Sequence, residues 1–571
     1  MPRNPSFFAS RKYLLATVAF AALTVVAVNA GAEPEYGNIA QTRQHAQSLA
    51  VEGNCQNALY IFERVAVLSG LATDHIAAGE CAIRAGDARR ASDSFWEASS
   101  RRDQLSTTEQ KLYMLRSLGY QAEAAGQPTR ARLAWEWAAH LSSEPMDGVM
   151  AARASRLDDR SSAAGAWLNS VDAGALSGPP LALFYEEKAR SMADLQTDAA
   201  IMYLERSIAI EDAAYRRYER GLLLDRVGRN REALSEFEAA LRTNPDNIEI
   251  VMSAGYAARR AGQDDRAVIH FERARLLDPD RQLINEEVAY AYKGADDEDA
   301  AAAAFRAAID AYDRNANTDE GYRYRLRREV EQLERNHYGY TFLSYRDGSS
   351  NPGPNLPELG PVESQIGGEL GWQPDALNGV GTGLTLYGRG YASMSGRDFS
   401  LDADTAQLGF GARWKPLADY DLNLSAERMI ASGDQARDAW LLRASAGWSD
   451  GLDWRPGETS WNYTSIYGDL AYIPDAPDYF SAYLSARQGR RFAIGDGWAV
   501  TPYVVGVAQY SDDSFQECER YEVGPGVSVS RWLDDDEYRA HRQRIDFELE
   551  YRFGVGDRDE DAAIARVVWT F

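Results

Sequence analysis

The chain has 571 residues, with 86 acidic against 61 basic side chains and a net charge of −25. A duplex-binding surface needs a positive field, so this balance excludes nucleic acid as the main partner. A mean hydropathy of −0.45 excludes a polytopic helical membrane protein. It does not exclude a β-barrel, whose strands are apolar on one face only. Tyr (31) and Trp (13) are plentiful, and both favour a membrane–water interface.

Arg3, Arg11 and Lys12 precede an apolar run from Tyr13 to Ala30, which leads into Ala30-Gly31-Ala32 and Glu33-Pro34-Glu35. A basic start, a short apolar core and a small-x-small site predict a signal peptide over 1–32, cut after Ala32 or Ala30. The other reading of this stretch is a permanent single-span anchor. An exported chain meets an oxidising compartment. The cysteines are Cys55, Cys81 and Cys518, and no CxxC pair exists, so neither a zinc ribbon nor a thioredoxin-like site is expected.

Residues 33–312 are repetitive. Gly221, Gly228, Ala233, Phe237, Ala240 and Pro245 return 34 residues later as Gly255, Gly262, Ala267, Phe271, Ala274 and Pro279. The pattern weakens to Ala289, Ala301, Phe305 and Ala308. Upstream copies are Gly79, Gly86, Ala91, Phe95, Ala98 and Gly119, Gly126, Ala131, Trp135, Ala138. This is the tetratricopeptide signature. Small residues sit where helix A crosses helix B, the aromatic fills the gap, Gly opens the turn and Pro stops helix B. About seven or eight repeats are expected to stack as an all-α solenoid, because one repeat cannot bury its apolar face alone. Residues 142–190 match poorly and are expected to be helical with longer loops.

Cys55 opens helix B of one repeat and Cys81 lies in helix A of the next, so a disulfide is predicted between them; the alternative is two buried thiols. Cys518, placed in an outer loop, is expected to stay unpaired within the chain. Helix A lines the concave face of such a stack, which places Tyr120, Glu123, Arg226, Tyr256, Arg259, Arg260 and Tyr290 in a groove for a protein segment or a polysaccharide. Any one of them also reads as ordinary solvated helix surface.

Residues 313–336 read as a linker helix. Gly321 to Asn336 carries helical spacing (Tyr322, Leu326, Val330, Leu333) in an unusually basic setting. Its arginines are placed to meet anionic lipid head groups or to pair with acidic repeat residues.

From 337 to 571 the period changes to two. Trp440, Leu442, Ala444, Ala446 and Trp448 alternate with Leu441, Arg443, Ser445 and Gly447; Ile545, Phe547, Leu549, Tyr551 and Phe553 alternate with Arg544, Asp546, Glu548, Glu550 and Arg552. About twelve such segments predict a C-terminal antiparallel transmembrane β-barrel, with long acidic or Pro/Gly-rich outer loops and tighter inner turns such as 415–419. A soluble sandwich or barrel gives the same alternation with the faces inverted. Ala565, Val567, Trp569 and Phe571 share one face of the last strand, so Trp569 and Phe571 are read as the closing, membrane-assembly signal. Inward positions include Arg413, Glu427, Arg443, Arg487, Asp546, Glu548, Glu550 and Arg552, which predicts a narrow, charge-lined lumen, since twelve strands lie between a filled barrel and an aqueous channel.

No HExxH, GxSxG or Walker loop occurs, and no His cluster has metal spacing. No catalytic residue, metal or cofactor is expected. Asp546, Glu548 and Glu550 recur at roughly 7 Å along one strand face. Carboxylates at such separations can hydrolyse glycosides, but Arg544 and Arg552 flank them and charge pairing is expected instead. The acidic run 557–561 has irregular ligand spacing and reads as a solvated loop.

Tyr521-Glu522-Val523-Gly524-Pro525-Gly526-Val527-Ser528-Val529-Ser530-Arg531-Trp532, with Asp546-Phe547-Glu548-Leu549-Glu550-Tyr551-Arg552 after it, resembles the C-terminal domain of the bacteriophage adsorption protein A family. Signal peptide, repeats and barrel together are similar in architecture to the outer-membrane subunits that export exopolysaccharides, although those carry sixteen-stranded barrels. The resemblance implies a Gram-negative outer-membrane location with the repeats in the periplasm. It implies service as a phage receptor and a part in secreting a surface glycan. The partners it implies are outer-membrane lipid, a periplasmic or inner-membrane glycan-synthesis protein, the polysaccharide and phage. The rival readings are an envelope scaffold with a closed anchoring barrel, and an exported soluble binding protein.

Overall fold

The computed structural model describes residues 38–279, 281–315, 318–347, 364–374, 377–379, 382–394, 400–418, 420–474, 478–512, 517–556 and 561–571. Residues 1–32, predicted as a signal peptide, residues 557–560 of the acidic run and the side chain of Cys518 lie outside them. The chain divides into two compact units between Asp212 and Ala213.

The first unit is helical: α1 (Ile39–Val51), α2 (Cys55–Ser69), α3 (Ala72–Arg84), α4 (Ala88–Ser99), α5 (Thr108–Ala124), α6 (Pro128–Leu141), α7 (Pro145–Leu157), α8 (Ser161–Ser170), α9 (Pro179–Met192) and α10 (Thr197–Ile210). Each helix packs on its neighbour in sequence. The poorly matching stretch 142–190 is helical, as expected, with a longer connection before α9. The starts carry local signals: Pro at the first turn of α6, α7 and α9, and a reciprocal capping box of Thr107 and Gln110 on α5.

The second unit opens with α11 (Ala214–Arg226), α12 (Asn230–Leu241), α13 (Ile248–Arg260), α14 (Asp264–Leu277), α15 (Gln282–Gly294), α16 (Glu298–Arg314) and α17 (Glu320–Glu334). The repeat signature has a direct steric cause. A Cβ on Gly255 would sit 2.7 Å from the ring of Phe271, which is fully buried. The bare glycine lets the helices approach and the ring fill the gap; burying such a ring contributes about 2–3 kcal/mol. Gly262 follows at φ +68°, a turn conformation that disfavours any Cβ.

The strands follow: β1 (His337–Arg346), β2 (Gln365–Trp372), β3 (Asn378–Gly379), β4 (Thr382–Ser393), β5 (Gln407–Lys415), β6 (Asp421–Ala431), β7 (Ala439–Asp450), β8 (Ser460–Ile473), β9 (Tyr479–Gly495), β10 (Trp498–Asp512), β11 (Glu517–Leu533), β12 (Gln543–Gly554) and β13 (Ala562–Thr570). β3 is a two-residue ladder on β4. The other twelve close a ring, because β1 pairs with both β13 and β2, and β2 pairs with β4. All pairings are antiparallel.

Large apolar side chains face outward, the reverse of the arrangement in a soluble barrel. On β7 Trp440 (51% exposed) and Leu442 point out, while Leu441 (0%) and Arg443 point in. Phe410, Leu470, Leu484, Val504 and Leu549 are among the large apolar side chains exposed outside. The inverted-face sandwich is thereby excluded.

One expectation needs correction. The connections at the end where α17 enters are not uniformly tight. Segments 451–459 and 534–542 are long, and α17 docks on both. Tyr324, Trp454, Trp461, Ala499, Trp532 and Ala540 form one buried cluster there. Arg327 ties α17 to the second loop: Nε donates to the Arg539 carbonyl at 3.1 Å, Nη2 lies 2.7 Å from the Asp535 carboxylate, and the Arg327 carbonyl accepts from Ala540 N–H at 3.3 Å. Arg328 pairs with Asp453 at 3.3 Å, and Arg323 with Asp313 at 3.0 Å. These arginines therefore meet acidic partners within the unit.

Candidate functional site

Alternation sends every second side chain of each strand into the barrel, and in the half away from α17 many of those side chains are ionic and close-packed, beside an apolar cluster that includes Leu441, Ile473 and Val505. Arg346 pairs with Glu522, and Glu522 with Arg552 at 3.1 Å. Arg552 Nε donates to Glu550 at 2.7 Å; Glu550 accepts from Tyr503 at 2.8 Å and meets Arg487 at 3.0 Å. Arg487 reaches Glu548 at 3.3 Å, and Glu548 reaches Arg566 at 3.4 Å. On the opposite wall Arg389 pairs with Glu427 at 2.8 Å, Tyr387 donates to Glu427 at 3.0 Å, and Arg443 pairs with Asp469 at 2.5 Å. Glu427 is 0% and Arg552 2% exposed to water. Such burial is tolerated because each charge faces an opposite one at hydrogen-bond distance.

The predicted lumen residues thus lie inside the barrel: Arg487, Glu548, Glu550 and Arg552 join one network, and Glu427 and Arg443 form pairs on the opposite wall. Asp546 stands apart: it accepts from Ser530 at 2.6 Å and from Arg544 at 2.7 Å. Asp546, Glu548 and Glu550 are all committed to arginines, an arrangement of charge pairing rather than of acid–base chemistry. Sequence reasoning missed Arg346, Glu369, Arg389, Asp469 and Glu522. All sit at inward positions, so the same alternation would have found them.

In the half nearer α17 the lumen widens into a chamber of about 780 Å³. Its wall includes Tyr338, Arg413, Ser425, Arg443, Ser445, Ser465, Tyr467, Tyr483, Ser485 and Arg487, and its mouth is bordered by Gln332, Arg335 and Asn336 at the end of α17. Arg413 meets Glu369 at 3.1 Å and donates to the Tyr338 hydroxyl at 2.7 Å, and Tyr338 donates to Glu369 at 2.7 Å.

The predicted groove residues have other engagements. Arg260 holds Asp225 through two bonds, of 2.9 and 2.6 Å, and Arg259 holds Glu287 at 2.7 Å. Tyr256 donates to Glu287 at 3.0 Å, and burial, with Glu287 beside it, pushes its hydroxyl up to about 12. Tyr120 stands edge-on to Trp135 at 4.9 Å and Tyr290 edge-on to Phe305 at 5.0 Å. Glu123 pairs with Arg153 at 3.3 Å, and burial raises its carboxyl. Arg226 is exposed at the end of α11. Two of the three arginines read as ligand contacts, Arg259 and Arg260, are therefore held in ties between successive repeats. The same kind of tie recurs in the first unit as Arg43–Asp74, Arg116–Asp147 and Arg156–Glu187.

The cysteines are brought together but stand as thiols rather than as the expected disulfide. Both are buried, and Cys81 Sγ lies 3.0 Å from Cys55 Sγ. Burial first, and the hydrogen bond to Cys55 second, push the Cys81 thiol up to about 12.

Trp569 points outward beside Thr341, its register partner on β1, and Phe571 exchanges backbone hydrogen bonds with Gly339.

Residues 398–566 match the family described as "Bacteriophage N adsorption protein A C-term". The bacteriophage adsorption protein A of Escherichia coli (strain K12) is 24% identical over 467 residues, which cover 76% of this chain and 46% of that protein. The chain spans about half the length of this curated relative. Among solved structures, "MamA MSR-1 C2" is 24% identical with a TM-score of 0.26, over 29% of this chain and 94% of that one. A chain of the APC/C hetero-tetramer Cut9-Hcn1 is 14% identical with a TM-score of 0.29, over 52% of this chain and 55% of that one. The matched segment contains the whole Tyr521–Trp532 motif, and over that segment this chain is similar to the C-terminal domain of the bacteriophage adsorption protein A family.

Proposed function

We propose that the protein sits in the outer membrane of a Gram-negative bacterium and takes part in secreting a surface glycan. On this reading the repeats lie in the periplasm and bind a glycan-synthesis protein or the glycan, and the barrel anchors or translocates. The observation that carries the location is the reversal of the barrel's faces: apolar side chains outside, paired charges inside. Serving as a phage receptor belongs to the same reading, since the curated relative is named for bacteriophage adsorption.

The test has two parts. The protein should fractionate with outer membranes and show heat-modifiable migration in detergent gels; recovery in the soluble periplasm would sink the location. Deleting the gene should reduce secreted polysaccharide; unchanged secretion would sink the export role.

A second reading, a scaffold with a closed anchoring barrel, is favoured by the buried charge network in the half of the lumen away from α17. Conductance in planar bilayers separates the two. Export predicts small or gated steps, enlarged by Arg389→Ala with Glu427→Ala, which together remove a buried pair without stranding one charge. A barrel silent in both forms favours the scaffold.

A further inference from the structure

The chamber in the α17 half of the barrel has a chemistry of its own. Four neighbouring strands, β6 to β9, each send one serine into it: Ser425, Ser445, Ser465 and Ser485. A hydroxyl both donates and accepts, so the row is a wall that hydrogen-bonds other hydroxyls without demanding charge. Tyr467 and Tyr483 stand in the same wall, their rings 6.4 Å apart, and add flat apolar faces beside the hydroxyls. A volume of about 780 Å³ is within the size range of ligand sites, and the lining is mostly polar, which suits a hydroxyl-rich ligand.

Lys415 and Asp421 add one charge of each sign to the lining, so its arginines decide what charge such a ligand carries. Each is held against a carboxylate set into the barrel: Arg413 against Glu369 at 3.1 Å, Arg443 against Asp469 at 2.5 Å, Arg487 against Glu550 at 3.0 Å, and Arg566 against Glu548 at 3.4 Å. An acidic ligand must compete with a carboxylate already in place and would also face it across the pair. A neutral, hydroxyl-rich ligand meets no such competition.

We propose that this chamber binds a segment of uncharged polysaccharide. The proposal rests on the glycan-secretion reading and deepens it by assigning the sugar's charge and its seat.

The experiment uses full-length protein in detergent micelles. Polysaccharide is collected from the medium of cells that carry the protein and separated by anion exchange into a neutral and an acidic pool, each titrated calorimetrically. The neutral pool should bind. Ser445→Trp with Ser465→Trp, which fills the chamber, should weaken that binding at least about tenfold. Leu470→Trp with Leu484→Trp, on the outer face of the same strands, should leave it unchanged, and heat-modifiable migration reports that both variants are folded. The proposal falls if only the acidic pool binds, if neither pool binds, or if the folded chamber-filled variant binds the neutral pool like the parent. Polysaccharide from a gene-deleted strain separates this from the wider reading: unchanged pools there overturn the secretion role, whatever the titration shows.

Discussion

Gly339 and Phe571 close the barrel by fitting each other. Gly339 N–H donates to the Phe571 carbonyl at 2.7 Å, and Phe571 N–H donates to the Gly339 carbonyl at 2.8 Å. A Cβ on Gly339 would lie 2.6 Å from the Phe571 ring. The ring thus occupies space that only glycine leaves open. Gly339→Val must displace it, an overpacking cost of about 1–3 kcal/mol, and Phe571→Ser removes its apolar contact. Both variants should lower the fraction of heat-modifiable, folded protein. Folded fractions equal to the parent's in both would remove the closing role of this pair.

The dock of α17 should weaken in acid. Burial lowers the pKa of His541, with neighbouring Arg327 adding to the shift and Asp535 opposing it. A histidine whose folded pKa lies below its unfolded value favours the docked state above that value and opposes it as pH falls. The window therefore opens below about pH 6.5. Asp535 contributes lower down. Burial alone would raise its carboxyl, but the Arg327 hydrogen bond and His541 hold it below the ordinary range, so its contribution is lost below about pH 4. Hydrogen exchange in α17, corrected for the intrinsic pH dependence of amide exchange, should rise between pH 7 and 5, and His541→Phe should abolish that rise. Arg327→Ala should raise exchange at every pH, since each hydrogen bond to a charged group contributes roughly 1.5–3 kcal/mol. Exchange in α17 that stays flat from pH 7 to 5 would refute the pH part.

Cys55 and Cys81 should join under oxidising conditions, but slowly. Their sulfurs already lie 3.0 Å apart. The thiolate is the reactive form, and burial keeps the Cys81 thiol protonated at neutral pH. Intact-mass measurement should show loss of two hydrogens on prolonged oxidation and much faster loss with a thiol-oxidase catalyst. The bond should then stabilise the first unit by about 3 kcal/mol in the chain-entropy model. Free thiols persisting after catalysed oxidation would rule the bond out.

What the sequence made legible follows from what repeats along it. Strand faces were readable because a one-residue slip would turn Leu441 and Arg443 outward and Trp440 inward. Helix pairs were readable because Gly255 and Phe271 recur at a fixed interval. Partners were not readable where ring closure chooses them: Arg487 on β9 meets Glu550 on β12, strands that are not neighbours. The α17 stripe was read as Tyr322, Leu326, Val330 and Leu333, yet the structure buries Tyr324, Leu326, Arg327, Val330 and Glu331. The stripe turns because a barrel loop offers Arg327 two carbonyls and a carboxylate, which no helical period encodes.

Arg260 was read as a groove contact, and its fork on Asp225 makes a different outcome the expected one. The pair joins α11 to α13 across one repeat and is partly exposed, 47% at Arg260 and 23% at Asp225, so it contributes no more than about 1 kcal/mol. Arg260→Glu sets two carboxylates against each other and should loosen that junction by a similar amount, seen as faster proteolysis between α11 and α13. Adding Asp225→Arg restores the pair with its direction reversed. If Arg260 acts only as a tie, the double variant regains protease resistance and any partner or glycan binding lost by the single one. If Arg260 itself touches a ligand, the double variant regains resistance but not binding, because the charge has moved to the other helix. The bidentate geometry favours the first outcome: Nε and Nη2 of the guanidinium are already spent on Asp225.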